Sequence, residues 1–417
     1  MKNTIAMFFS TKYWSNGEEL KRVSRAITSE FGGEEVFVVV DGDLTEILAS
    51  DNGDTLIVIP CSGSVQPHII RACEKFKNVI MFAGYVEGNF DNKITDQMLY
   101  CNAGPTLMDA YCVLKRSGNI RLIKTKKQLE AYLFACKAAE KVRNAKIALI
   151  GETEPWVISA SRDTELYYDR LGVRIEKLKQ SELIELYNNT TFDEAKDIYE
   201  YYKNGAKDIV EPTEQDLVNT ARMAKAMVTL LKLHQCDGMA IACFNLIANT
   251  GVNPCIGVSY INGKTPYFAA CEGDIDSAVT MLFIRALTKS DPFMANPSLQ
   301  KNDHVNFAHC TAPTEECDFV LRNHHETGVG VSLQVNYGIG KAMSLYRYSG
   351  VLNAITINKG ISVEGKYEPN CRTQVCVEIN DYKNYVDNAL GCHQIMTFDD
   401  STMLMSELAN ILGIEIR

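Results

Sequence analysis

Short apolar runs rich in β-branched and aromatic residues recur at positions 4–9, 35–40, 55–60 and 78–83, and between them apolar residues return at helical spacing, as over 18–31 and 68–76. Strands alternating with helices specify βαβ units and a parallel sheet. A long helical pattern over 126–143, carrying Leu129, Ala131, Leu133, Phe134, Ala138 and Val142, precedes a fresh strand at 145–151, which marks a domain crossover. A second alternating series follows, with strands near 173–177, 238–242 and 267–271 and helices around 194–202 and 214–234. After about residue 296 the texture changes to short β-type runs at 305–308, 330–335, 344–348, 352–357 and 373–379, separated by glycine and asparagine. Regular short strands with turn signals predict an antiparallel sheet or barrel, closed here by a helix over 401–412. The fold class is α/β: an N-terminal α/β domain over 1–143, a second over 144–295 and a β-rich C-terminal domain over 296–417.

The chain is organised around Tyr267-Phe-Ala-Ala-Cys-Glu-Gly-Asp274, an apolar strand ending in two acids, followed by Ile275, Ala278, Val279, Met281, Leu282 and Ala286 at helical spacing. Asp274 stands just before the first periodic residue, the place of a helix N-cap. Glu272, one turn earlier, falls where α/β enzymes put their chemistry. A buried glutamate is costly unless it is paired or holds a metal.

At 417 residues the chain exceeds what one core usually supports. A net charge of −10 disfavours nucleic acid and anionic membranes as partners, since both require basic faces, and favours a small polar ligand. The early run turns polar at Ser10-Thr-Lys, too soon for a signal peptide, and no window approaches a membrane span, so a cytoplasmic protein is expected. The 14 cysteines read as reduced, mostly as small buried hydrophobes. None falls in a Cys-x-x-Cys pair; Cys371 and Cys376 come nearest.

Nucleotide and serine-hydrolase motifs are absent. Gly328-Val-Gly330 and Gly338-Ile-Gly-Lys341 complete neither a dinucleotide fingerprint nor a Walker A loop, and the loop over 61–67 reads as a plain strand-to-helix turn. What remains is a set of metal-type residues in or beside strands: Glu272, Asn296, His309 and His393. Carboxylate, imidazole and an oxygen donor suit Mn²⁺ or a similar first-row ion better than a thiolate-selected zinc.

The ordered set Ala270-Cys-Glu-Gly-Asp274, Phe293-Met-Ala-Asn296, Ala308-His-Cys-Thr-Ala-Pro313, Asn370-Cys-Arg-Thr373 and Gly391-Cys-His393 resembles the L-fucose isomerase and L-arabinose isomerase superfamily, in particular its shorter fucose-isomerase-like branch. Upstream, Gly151-Glu-Thr-Glu-Pro-Trp156, Ala242-Cys-Phe-Asn245 and Asn253-Pro-Cys255 are similar to it as well. The resemblance implies two Rossmann-like domains and a β-rich third, a site at a domain junction and a homo-trimer or homo-hexamer. It also implies a divalent ion, usually Mn²⁺, held by Glu272, the Asn296 position, His393 and His309. The activity it implies is interconversion of an aldose and a ketose on a deoxy sugar, pentose or related sugar, with proton transfer through a cis-enediol and Glu272 as both base and ligand. His324 and His325 lie in a stretch near the family's site; Trp156 suits stacking on a sugar and Arg372 an anionic group.

The chain departs from that pattern at Asn296, which stands at the family's second acid and cannot carry a proton. Asp274, Asp291 or a water then takes that role, or the chain does something else. The alternatives are a sugar-binding or regulatory protein without turnover, and another metal-dependent enzyme on carbonyl sugars, such as an epimerase or lyase.

Overall fold

A computed structural model of the chain describes residues 3–11, 36–49, 55–82, 103–116, 120–300 and 303–417. They form two compact units, Met1–Leu133 and Phe134–Arg417.

The first unit contains β1 (Asn3–Phe9), β2 (Val36–Val40), α1 (Thr45–Ala49), β3 (Thr55–Pro60), α2 (Gln66–Cys73), β4 (Asn78–Phe82), α3 (Ala103–Leu114) and β5 (Ile120–Ile123). Its sheet is parallel, in the order β2-β1-β3-β4-β5. All six residues of β3 are buried, which explains why this strand reads as one continuous apolar run. The expected helix over 18–31 lies outside the described residues. In the 61–67 loop, buried Ser62 accepts a hydrogen bond from the Ser10 backbone (2.8 Å), so the turn has a structural employment.

Helix α4 (Lys126–Arg143) crosses from the first unit into the second, whose α/β part continues with β6 (Lys146–Ile150), α5 (Glu165–Leu171), β7 (Arg174–Leu178), α6 (Gln180–Asn189), α7 (Phe192–Gly205), β8 (Asp208–Ile209) and α8 (Glu214–His234). Then come β9 (Gly238–Ile241), α9 (Cys243–Thr250), α10 (Cys255–Lys264), β10 (Phe268–Ala270) and α11 (Ile275–Leu287). Strands β10-β9-β6-β7 form a second parallel sheet. Capping boxes at Thr191/Glu194 and Thr213/Asp216 start α7 and α8 by satisfying the orphan N–H groups of the first turn.

The remainder holds β11 (Phe293–Leu299), β12 (His304–His309), β13 (Asp318–Arg322), β14 (Ser332–Asn336), β15 (Ala342–Ser349), β16 (Ala354–Val363), β17 (Thr373–Ile379), α12 (Tyr382–Asp387), β18 (Gln394–Thr397), α13 (Thr402–Leu412) and β19 (Glu415–Ile416). Six of these strands close an antiparallel barrel, β15-β18-β11-β12-β17-β16, with β16 paired back onto β15. The strand expected from 330 begins only at Ser332. Gly330 takes a left-handed φ of 62°, and the Asn253 side-chain amide bonds both the N–H and the C=O of Val331 in place of a neighbouring strand.

Helix α11 decides where the site falls. It is packed between the second parallel sheet and the barrel, sharing one core with Ile147, Leu149 and Phe268 on one side and Tyr346, Tyr348 and Ile395 on the other. Twelve of its residues are buried, including Asp276, Ser277 and Thr280. The amphipathic spacing thus belongs to a helix enclosed on all sides, and its polar residues must find partners inside the protein. Among the described residues no helix is long and apolar enough to cross a membrane.

Candidate metal centre

Between β10 and α11 the chain makes a tight turn in which Glu272 and Gly273 both adopt left-handed backbone, with φ of 58° and 60°. For a glutamate this conformation is uncommon and has to be held by its surroundings. Here the Glu154 N–H donates to the Glu272 carbonyl (3.0 Å), the Thr153 hydroxyl to the Gly273 carbonyl (2.7 Å), and the Gly273 N–H to the Ile241 carbonyl (2.8 Å). A Cβ on Gly273 would sit 2.8 Å from backbone atoms of Glu152 and Thr153, so the close approach of that loop requires glycine. The turn projects Glu272 beside two histidines from the barrel.

Glu272, His309 and His393 each offer a ligand atom, and these atoms lie within 4.8 Å of one another. His309 ends β12 and His393 immediately precedes β18, so their strands flank β11 on either side. His393 Nε2 stands 3.5 Å from Glu272 Oε1 and has no hydrogen-bond partner although fully buried. An orphaned imidazole nitrogen facing a carboxylate and a second imidazole is a donor set that fits a divalent first-row cation. The other His393 nitrogen, Nδ1, bonds Asp274 Oδ2 at 2.8 Å, the carboxylate–histidine arrangement that orients metal-ligating imidazoles. His309 Nδ1 is likewise engaged, by the Thr311 hydroxyl at 2.9 Å.

Asp274 serves twice. It caps α11, accepting from the Ser277 N–H (3.0 Å), and its other oxygen also takes a bond from Arg347 Nη1 (2.7 Å). Arg347, Asp274 and Asp276 have fully buried side chains. Asp276 receives the Tyr167 hydroxyl (2.7 Å) and the Gly350 N–H (2.8 Å). Burial opposes ionisation of Asp274, but the Arg347 guanidinium and His393 outweigh it and hold the carboxyl well below the usual range.

The charges around the triad are strongly shaped. Burial disfavours a charged His393, yet the hydrogen bond to Asp274 and the nearby Cys392 and Glu272 reverse this and hold its pKa well above the ordinary value. Burial and the neighbouring His393 charge push His309 down to about 3, so it is neutral. Burial acts to raise Glu272, but the His393 charge and the Trp156 N–H lower it overall. In the metal-free protein His393 therefore stabilises the fold below its unfolded pKa, and that stabilisation is lost as pH rises through the higher folded value. A cation needs the neutral Nε2 and must displace a proton. Metal affinity is therefore expected to rise with pH, approaching about tenfold per unit while His393 starts protonated; calorimetric titrations at pH 6, 7 and 8 check this, and a flat profile would contradict it.

Trp156, half exposed, donates Nε1–H to Glu272 Oε2 at 2.6 Å and packs edge-to-face on Phe244 (5.0 Å), which in turn meets the His324 ring (5.9 Å). These three rings form a file running from the glutamate. Asn296 is half-buried on β11, in register with Ala308 next to His309, while Ala295 pairs with Gln394 next to His393. Its backbone thus lies beside both histidines. His325 is half-buried, its backbone N–H directed at Cys310. The Arg372 side chain clamps Asn323 through Nε to the carbonyl (3.0 Å) and Nη2 to the side-chain oxygen, and lines a groove with Lys207 and Gln334.

Two acids named from the sequence for the second proton are otherwise occupied: Asp274 by Arg347 and His393, and Asp291 by Arg285 (3.2 Å). Glu154 is the acid that sequence reading passed over. It is buried, accepts the Phe244 N–H (3.1 Å), and burial, with the Glu272 charge, raises its pKa. Its signal was the Gly151-Glu-Thr-Glu-Pro-Trp156 stretch, which also supplies Trp156. Comparison with known family models and with curated protein sequences finds no match for this chain.

Proposed function

We propose that this chain is a metal-dependent aldose–ketose isomerase of the fucose-isomerase-like type, acting on a deoxy sugar, pentose or related sugar. The convergence of Glu272, His309 and His393 from three distant segments carries this reading. The order β2-β1-β3-β4-β5, parallel throughout, supports the Rossmann-like character expected of the first domain. Glu272 and the two histidines would hold Mn²⁺ or a similar ion, with Asn296 as a further oxygen donor. When bound, the ion would polarise the sugar's carbonyl and hydroxyl oxygens and so acidify the adjacent C–H.

The protein's own groups account for the proton traffic. Glu272, ionised despite its burial, is suited to take the proton from one sugar carbon and return it to the next. Glu154, with its raised pKa, is suited to exchange a proton with a substrate oxygen, the task Asn296 cannot perform. Trp156 and Phe244 offer apolar edges to the sugar's C–H face, and Trp156 Nε1–H fixes the Glu272 carboxylate.

The test is a panel of aldoses and ketoses offered to the Mn²⁺-loaded chain, with solvent deuterium incorporation at C1 or C2 as the readout. Ketose or aldose formation with deuterium uptake is expected; a chain that binds the ion and exchanges no sugar proton sinks the proposal. Asn296 favours one competing reading, a sugar-binding protein without turnover, which would show saturable sugar binding and no exchange.

A further inference from the structure

We propose that Cys310, Cys371 and Glu326 form a second cation site, selective for a thiophilic divalent ion such as Zn²⁺. Cys310 follows β12 and Cys371 precedes β17, strands that pair with His309 opposite Thr373, so the two thiols are neighbours at one end of the barrel. Glu326 lies in the connection between β13 and β14. One ligand atom from each of the three falls within 4.8 Å of the others, and Cys371 Sγ is 3.5 Å from Glu326 Oε1. Tetrahedral zinc with its usual bond lengths separates sulfur from oxygen by about 3.6 Å and sulfur from sulfur by about 3.8 Å. The cluster is therefore close to the size of a zinc shell.

Backbone N–H groups of Arg372 and His325 face the Cys310 sulfur. His324 is buried beside Glu326, with Nδ1 bonded to the Thr327 hydroxyl (3.0 Å) and Nε2 3.4 Å from Glu326 Oε2, so it orients the carboxylate. Glu326 is 45% exposed and connects the buried thiols to solvent. Two sulfurs with a carboxylate form a softer set than the glutamate and imidazoles of the first centre, so the two sites sort different ions. An ion here would clip the connection carrying His324 to the barrel.

The experiment uses the full chain, reduced and stripped of metal, titrated with Co²⁺, because sulfur-bound cobalt gives a thiolate charge-transfer band in the near ultraviolet that the first centre cannot produce. One equivalent of the band is expected in the wild type and in Glu272→Gln, displaced by stoichiometric Zn²⁺ and lost in Cys310→Ser and Cys371→Ser. Glu326→Gln, on the exposed connection, should fold normally and weaken Co²⁺ binding by about ten- to a hundredfold. The site is refuted by no band in the reduced wild type, by a band that survives Cys371→Ser, or by unchanged affinity in Glu326→Gln. A Cys310–Cys371 disulfide in chain purified without oxidant, found by peptide mass mapping, would overturn it in favour of a redox pair.

Discussion

Replacing Arg347 by methionine is expected to cost about 3–5 kcal/mol of stability, the scale seen when one partner of a buried ionic cluster is removed. The methionine fills comparable volume, so the loss is electrostatic rather than a cavity effect. It strands Asp274 and Asp276, both fully buried, and leaves Asp276 Oδ2, which already lacks a hydrogen bond, without the Arg347 guanidinium 3.7 Å away. Equilibrium unfolding in guanidinium, followed by far-ultraviolet circular dichroism, reads the change as a lower midpoint for the second unit. A shift worth less than about 1 kcal/mol would mean the cluster relaxes by taking up protons or water. Metal affinity should fall as well, because Asp274 orients His393 only while Arg347 keeps it ionised.

Glu272→Gln is expected to abolish sugar isomerisation, with a loss of at least about 10² to 10⁴ in kcat, the range for removal of a general base. The substitution keeps the size of the side chain and an oxygen able to accept the Trp156 bond, so the turn and its left-handed backbone should survive. It removes the negative charge that Glu272 brings to the donor set of two imidazoles and a carboxylate. Bound Mn²⁺, counted by electron paramagnetic resonance, should drop in parallel with activity. Turnover that persists at wild-type rate would assign the base elsewhere, with Glu154 the first group to test.

Much of the architecture was legible along the chain where solvent faces one side of an element. The helical pattern over 126–143 and the runs over 214–234 and 373–379 match α4, α8 and β17 end to end. One enclosed helix left no such signal. Helix α10 buries seven of its ten residues, polar Ser259 and Asn262 among them, so no stripe separates an inner from an outer face. Helix α9 and strands β13 and β18 are too short for their periodicity to stand out. The turn at Glu272 and the cap at Asp274 were readable because strand, glycine and cap are adjacent in sequence, whereas the second employment of Asp274, holding His393 from 119 positions away, was not.

The sequence by itself determined the residue types and local frame of the chemistry: a strand ending in Glu-Gly-Asp, a helix behind it, and a barrel-forming tail containing His309 and His393. Local interactions suffice for these, since backbone preference and side-chain periodicity act over a few residues. The tertiary structure decided which donors meet. Closing the barrel against α11 brought Glu272 beside both histidines, gave buried Asp274 its Arg347, and set Cys310 against Cys371 with Glu326 beside them. Those juxtapositions come from packing apolar faces of separate elements, which no spacing along the chain records.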